Sequence, residues 1–229
     1  MKIGGLQRVS LIDYPGAICA VVFTQGCNFR CQYCHNPELV DTALFHPAMD
    51  ESEFFNFLHA RKGKLDAVVV TGGEPTIHGD LESFVSRIRK LGFAVKLDTN
   101  GSNPQAVKTL LNKKLLDYIA MDVKAPFEKY KDIVRRDVDT DSIRETIGIV
   151  LKAKIPHEFR TTVVRSQLKE KDIRKIADQI AGATKYVLQK FVPSKTLEEG
   201  FATEKSYSDP ELEKIKQSLE ERIPCVVVR

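Results

Sequence analysis

In Ala67-Val68-Val69-Val70-Thr71-Gly72-Gly73-Glu74-Pro75, an unbroken apolar run stops at two glycines and a carboxylate. A short strand without polar alternation is buried on both faces, as in a parallel sheet. Outward from it the chain repeats strand, loop and helix. Upstream, Ile18–Thr24 reads as the preceding strand, with an edge segment near Leu6–Leu11. Asp50 with Glu53 opens a helix through about Arg61 that carries Phe54, Phe57 and Leu58 on one face. Downstream, Leu81, Phe84, Val85, Ile88 and Leu91 recur at helical spacing up to Gly92. Ala94–Asp98, Tyr118–Val123, His157–Val164 and Tyr186–Phe191 are the next strands. A helix starting at Asn103-Pro104, a stripe of Ile143, Ile147, Val150 and Leu151, and Lys169–Ile180 separate them. Ser208-Asp209-Pro210-Glu211 opens the last helix, and Cys225–Val228 is a short closing strand. This rhythm makes right-handed βαβ units, in either an open doubly wound sheet or an incomplete barrel. In both, the working residues sit at the carboxyl ends of the strands.

Polar residues collect at those ends. After the first strand come Cys27, Cys31 and Cys34; after the second, Gly72-Gly73-Glu74; after the third, Asp98-Thr99-Asn100-Gly101. The fourth ends in Met121-Asp122-Val123-Lys124, and the fifth carries Arg160-Thr161-Thr162. Singly, each reads as a turn or a solvated charge. Their coincidence at successive strand ends makes them one site. Glycines let a ligand approach the backbone, Glu74 can accept from an ammonium and Lys124 can pair with a carboxylate. The ligand so described has an amino-acid head.

The cysteines are spaced C-x₃-C-x₂-C within Gln25–Pro37. Soft thiolates at that spacing suit a cluster or a metal, and three of them leave one coordination position open. Other readings are a Cys₃His zinc site completed by His35, c-type haem attachment at Cys31–His35, and a disulfide. Adjacent Cys34 and His35 do not easily face one ion. Haem leaves Cys27 without a role, and a disulfide needs an oxidising compartment.

The 229 residues, 42% of them hydrophobic, suit one domain. Lys+Arg 35 against Asp+Glu 31 gives +4, spread along the chain, which implies a solvated surface and no nucleic-acid partner. No apolar run approaches the roughly 20 residues that span a bilayer. Met1–Arg8 lacks a signal core, so a cytoplasmic location without membrane attachment is expected. Cys19 and Cys225, inside apolar runs, read as buried core residues, which leaves too few cysteines for a second four-thiolate cluster.

With these motifs in place, the sequence resembles the radical S-adenosylmethionine (SAM) superfamily. Cys27-x₃-Cys31-x-Tyr33-Cys34 is similar to its cluster motif, and Gly72-Gly73-Glu74-Pro75 to its methionine-amine motif. Leu97–Gly101 and Met121–Lys124 resemble the strand signatures of glycyl-radical-enzyme activases. The stretches Gly5–Gly16 and Cys34–Leu39 are similar to activating proteins of anaerobic ribonucleoside-triphosphate reductase. The resemblance implies a partial (β/α)₆ barrel, one radical SAM domain over residues 1–229 with an N-terminal extension of about residues 1–16. It implies a 4Fe–4S cluster on Cys27, Cys31 and Cys34 whose open iron is chelated by the methionine end of SAM. Tyr33 is implied near the adenine; Gly72, Gly73 and Glu74 at the amine; Lys124 at the carboxylate. Asp98, Thr99 and Asp122 are implied to line SAM or a monovalent cation beside it, with Arg160 and Thr162 also at the cofactor. Gln189 stands where some activases carry a ribose-contacting histidine. The implied chemistry is reductive cleavage of SAM to a 5′-deoxyadenosyl radical that takes hydrogen from a partner's glycine, with flavodoxin or ferredoxin as electron donor. A radical SAM enzyme acting on a small molecule or peptide, and a non-enzymatic zinc module, are the rival readings.

Overall fold

A computed structural model describes residues 1–229. The strands are β1 (Ile3–Ser10), β2 (Cys19–Thr24), β3 (Ala67–Gly72), β4 (Ala94–Thr99), β5 (Tyr118–Asp122), β6 (His157–Val163), β7 (Tyr186–Lys190) and β8 (Val226–Val228). They form one eight-stranded sheet in sequential order. β1 runs antiparallel to β2, and every later neighbour pair is parallel. The crossovers carry α1 (Pro37–Val40), α2 (Glu51–Ala60), α3 (Leu81–Lys90), α4 (Pro104–Asn112), α5 (Tyr130–Val134), α6 (Thr140–Leu151), α7 (Glu170–Gln179) and α8 (Asp209–Leu219). β1 and β8 are edges that do not pair with each other, so the sheet is an incomplete barrel of strand–helix units. The N-terminal residues belong to this sheet, since Ile3 pairs with Thr24 and Ser10 with Cys19. No helix is long and apolar enough to cross a membrane.

The two faces of the sheet differ. Val68, Val70, Val95, Leu97, Ile119 and Phe159 join Phe54, Phe84, Ile88 and Ile147 of the helices in the main core. Residues of the opposite parity line the inside. Cys19, Val21, Ala67 and Val69 make a small apolar cluster there. From β4 onward the inner positions turn charged, with Lys96, Glu158 and Arg160 all largely withdrawn from solvent. That is why β3 reads as continuously apolar and β4 and β6 do not.

On α2, Phe57 packs against the same core as Phe54 and Leu58, half-buried beneath the Arg8 and Arg61 guanidinium groups, and Phe55 joins them. One expectation is corrected. Cys225 is exposed. It precedes the edge strand β8, where its carbonyl accepts from Tyr186 N–H at 2.9 Å while its side chain stays in solvent.

Candidate active site

Every expected site residue lines one cavity of about 230 Å³, whereas Gly101, Met121, Val123 and Thr161 of the strand-end stretches do not. The loop after β2 brings Cys27, Cys31, Tyr33 and Cys34; the end of β3 brings Gly72, Gly73 and Glu74. Asp98 and Thr99 come from β4, Asp122 and Lys124 from the end of β5, Arg160 and Thr162 from β6, and Gln189 from β7. The parallel register does this, because side chains at matching heights, such as Asp122 opposite Arg160, share one rim.

The cysteine loop is fixed by its neighbours. Gly26 N–H donates to Leu39 O (2.7 Å), Glu74 N–H to Gly26 O (2.8 Å) and Arg30 N–H to Val134 O (2.8 Å). Asn100 Nδ2 donates to Asn28 Oδ1 at 2.9 Å. Leu197 and Glu198 donate backbone N–H groups to the carbonyls of Cys34 and Gln32, laying the segment after β7 across the loop. The glycines serve this packing. A Cβ on Gly73 would sit 2.0 Å from Gly26 O, and one on Gly72, at φ +116°, 2.3 Å from Thr24 N. Their small size lets two loops close on each other, where the sequence pointed to a ligand.

The thiols fit a cluster. Burial pushes Cys27 up to about 12 and Cys31 up to about 11, and raises Cys34 as well. They stay protonated until a cationic metal group displaces the protons. His35 is turned elsewhere: its ring stacks on Phe191 (5.4 Å, 8°) and Nε2 lies 3.0 Å from Val192 O. No three His, Cys, Asp or Glu side chains meet at single-ion range. A tetrahedral Cys₃His zinc site therefore does not fit, whereas a larger cluster held at three corners does. The Tyr33 hydroxyl is buried beside Cys31 without a well-formed hydrogen bond. It is available to a ligand.

Glu74 is 1% exposed and its carboxylate is saturated. Oε1 accepts from Thr76 N (3.1 Å), Thr76 Oγ1 (2.5 Å) and Thr99 Oγ1 (2.7 Å), and Oε2 accepts from Asn100 N (2.6 Å). It ties the β3 and β4 rims together and leaves little capacity for a ligand ammonium. Across the cavity runs a chain of ion pairs. Lys96 Nζ lies 2.8 Å from Asp98 Oδ1, off hydrogen-bond geometry. Arg160 donates to Asp98 Oδ2 (2.9 Å) and, through Nε, to Asp122 Oδ1 (2.8 Å). Lys124 Nζ donates to Asp122 Oδ2 at 3.0 Å. Burial works to raise Asp122, but Arg160 and Lys124 hold it well below the usual carboxylate range. Burial likewise opposes the charge on Arg160 and Lys124, and the carboxylates more than restore it. Lys96 does not line the cavity, and the charged side chains that do are Arg160 and Lys124 with Glu74, Asp98 and Asp122; the chain ends on Lys124, the cation that can receive a carboxylate.

Sequence reasoning passed over Phe29, Asn36 and Val40, which also line the cavity, as does Thr71 at the end of β3. Asn100, read as half of a turn dipeptide, is both a lining residue and a link to the cysteine loop. Its position at a strand end was the signal that marked it.

Residues 21–180 match the radical SAM superfamily. A Methanocaldococcus jannaschii protein named as a candidate glycyl-radical enzyme activating enzyme is 36% identical over 236 residues, covering 99% of this chain and 95% of that one. The pyruvate formate-lyase-activating enzyme of Clostridium pasteurianum is 28% identical, covering 86% of this chain and 83% of that one. Streptococcus suis SuiB bound to S-adenosylmethionine has the same fold, with a TM-score of 0.70 at 13% identity over 91% of this chain. This chain spans about half of SuiB's length, 49%. The cavity with its three thiols and these matches define a radical SAM enzyme, and the chain belongs to that superfamily. Within it, the full-length relative places the chain with the glycyl-radical-enzyme activating enzymes. Membership implies SAM and a 4Fe–4S cluster.

Proposed function

We propose that Cys27, Cys31 and Cys34 hold a 4Fe–4S cluster and that the chain activates a glycyl-radical enzyme, anaerobic ribonucleoside-triphosphate reductase. When bound, the cluster and SAM supply one-electron reductive cleavage and removal of a hydrogen atom from the target glycine. The observation that carries this reading is one cavity lined by three thiols and by the Asp122-held ammonium of Lys124, with His35 Nε2 engaged on Val192 O. In it Lys124 receives the methionine carboxylate and the backbone at Gly72 and Gly73 receives the amine. Tyr33 offers its hydroxyl at the adenine end and Gln189 stands at the ribose. Asp98, Thr99, Asp122, Arg160 and Thr162 set the charge and shape of the wall, and Glu74 acts through the two loops it joins. These residues hold the reacting groups in line and keep water out.

The choice of reductase rests on the likeness of Gly5–Gly16 and Cys34–Leu39 to its activating proteins. The electron comes from a flavodoxin or ferredoxin, since Cys19 and Cys225 stand apart and hold no second cluster. The reaction runs in the reducing cytoplasm and involves neither nucleic acid nor membrane. The test is anaerobic incubation of the iron-loaded protein with SAM, a reductant and the reductase, read by electron paramagnetic resonance. A glycyl doublet in the partner is expected. SAM cleavage without that doublet, in the reductase and in other glycyl-radical enzymes, favours a small-molecule or peptide substrate. Absence of SAM cleavage overturns the proposal.

A further inference from the structure

We infer that Arg160 takes the place of a monovalent cation in this site, so that the chain binds SAM without K⁺ or Na⁺; this rests on the SAM-binding reading above. An alkali ion needs several oxygens facing one point with lone pairs free. Asp98, Thr99 and Asp122, the residues expected to supply them, do not fit that need. Asp98 Oδ2 and Asp122 Oδ1 both receive the Arg160 guanidinium, at 2.9 and 2.8 Å. Asp98 Oδ1 has Lys96 Nζ at 2.8 Å, and Asp122 Oδ2 has Lys124 Nζ at 3.0 Å. Thr99 Oγ1 donates to Glu74 and accepts from Gly101 N–H at 3.1 Å. Three of the four carboxylate oxygens accept a hydrogen bond, and the fourth, Asp98 Oδ1, is faced by the Lys96 ammonium without a well-formed bond.

Charge points the same way. Lys96, Arg160 and Lys124 already outnumber Asp98 and Asp122 on a wall where Arg160 and Asp98 are each 12% exposed. A further cation would crowd three cations already packed on the same two carboxylates. A guanidinium suits the post because its planar fork bridges two carboxylates at once, Nε to one and Nη1 to the other. The register fixes it there, with Asp122 and Arg160 partners on β5 and β6. Arg160 is thus a positioning residue: it holds Asp122, and through it Lys124.

The test compares KCl, NaCl and tetramethylammonium chloride at equal ionic strength, on the metal-free chain by thermal melting and on the iron-loaded chain by calorimetric titration with SAM. The wild type is expected to melt alike in all three salts and to bind SAM with Kd unchanged within about twofold. Arg160→Gln opens the gap between Asp98 Oδ2 and Asp122 Oδ1. It is expected to gain a saturable K⁺- or Na⁺-specific rise in Tm and to need that ion for a tenfold or greater recovery of SAM affinity. Arg160→Lys, which keeps the charge, is expected to remain indifferent to the salt. A saturable alkali-specific rise in Tm in the wild type, or a tenfold gain in its SAM affinity with K⁺ or Na⁺, overturns the inference whether or not Arg160→Gln folds. A folded Arg160→Gln that ignores the salt in both measurements overturns it too. Failure to bind SAM in any salt counts against the proposed function instead, and the melting comparison still decides the role of Arg160.

Discussion

Replacing Glu74 with Gln separates a carboxylate that recognises a ligand from one that builds the site. The Gln oxygen, placed at Oε1, keeps its three donors from Thr76 and Thr99. The amide nitrogen then faces Asn100 N–H, whose 2.6 Å bond is lost. An orphaned buried N–H costs about 1–3 kcal/mol, and the surviving bonds lose the strengthening of a charged acceptor. Some of this is returned because a charge no longer has to be buried; burial raises the Glu74 carboxyl in the wild type. The net is about 3 kcal/mol, or ~6–12 °C in Tm for a domain of this size. Differential scanning fluorimetry and urea denaturation of the metal-free chain measure it. Asn100 also donates to Asn28, so iron uptake by the cysteine loop is expected to fall in parallel. A Glu74→Gln protein that melts within about 1 °C of wild type, yet binds SAM poorly, refutes the bracing role and restores direct ammonium recognition.

Other substitutions probe the remaining parts. Asp122→Asn strips Arg160 Nε and Lys124 Nζ of a shared counter-charge and is expected to cost about 3–5 kcal/mol in urea denaturation. Its pH signature follows from the depressed Asp122 pKa: that stability is full above the ordinary aspartate value and is lost as pH falls through the depressed one. Below about pH 4, wild type should therefore lose more stability than Asp122→Asn. Gly73→Ala drives a Cβ against Gly26 O and is expected to cost about 3 kcal/mol and to lower iron retention, whereas Gly79→Ala, whose Cβ meets nothing within 4 Å, serves as the neutral control. His35→Ala is expected to leave the iron content of anaerobically reconstituted protein unchanged; loss of metal there would revive the zinc reading.

Much of this could be read in the chain because the deciding signals are local. The apolar run before Gly72, the helical stripes and the Ser208–Glu211 capping box each lie within a few turns, and the elements formed at those positions. What escaped is non-local or too short to have a period. The five residues of α5 fall below any helical repeat, yet they carry Tyr130, whose hydroxyl accepts from Lys124 N–H and whose ring meets Phe29 of the cysteine loop. The role of Glu74 depends on donors from a different strand end. Lys96 lies within β4, and its meaning comes from Asp98 and from Arg160 far along the chain. Cys225 differs from its reading because composition does not tell which side of an edge strand is covered.

The five charges on the inner wall raise a question of energetics that function answers. Buried ion pairs are weak contributors to stability, since desolvation consumes most of what attraction returns, and apolar residues of similar volume are often better. A wall assembled only for folding would continue the pattern of Val21, Ala67 and Val69 next to it. Instead, Lys96, Asp98, Arg160, Asp122 and Lys124 alternate in sign across three strands and end on an ammonium at the cavity. In such a chain each charge holds the next in place, so that Lys124 is presented already oriented. The Asp pair neutralises Arg160 and Lys96, and the Lys124 ammonium stands at the rim. The three thiols occupy the loop on another wall of the same cavity, and there burial keeps them neutral until a metal binds. One cavity therefore separates a soft, initially uncharged ligand set from a hard, fixed cation. A ligand that spans both must carry a carboxylate at one end and a metal-chelating head beside it, which is the chemistry of an amino acid bound to iron.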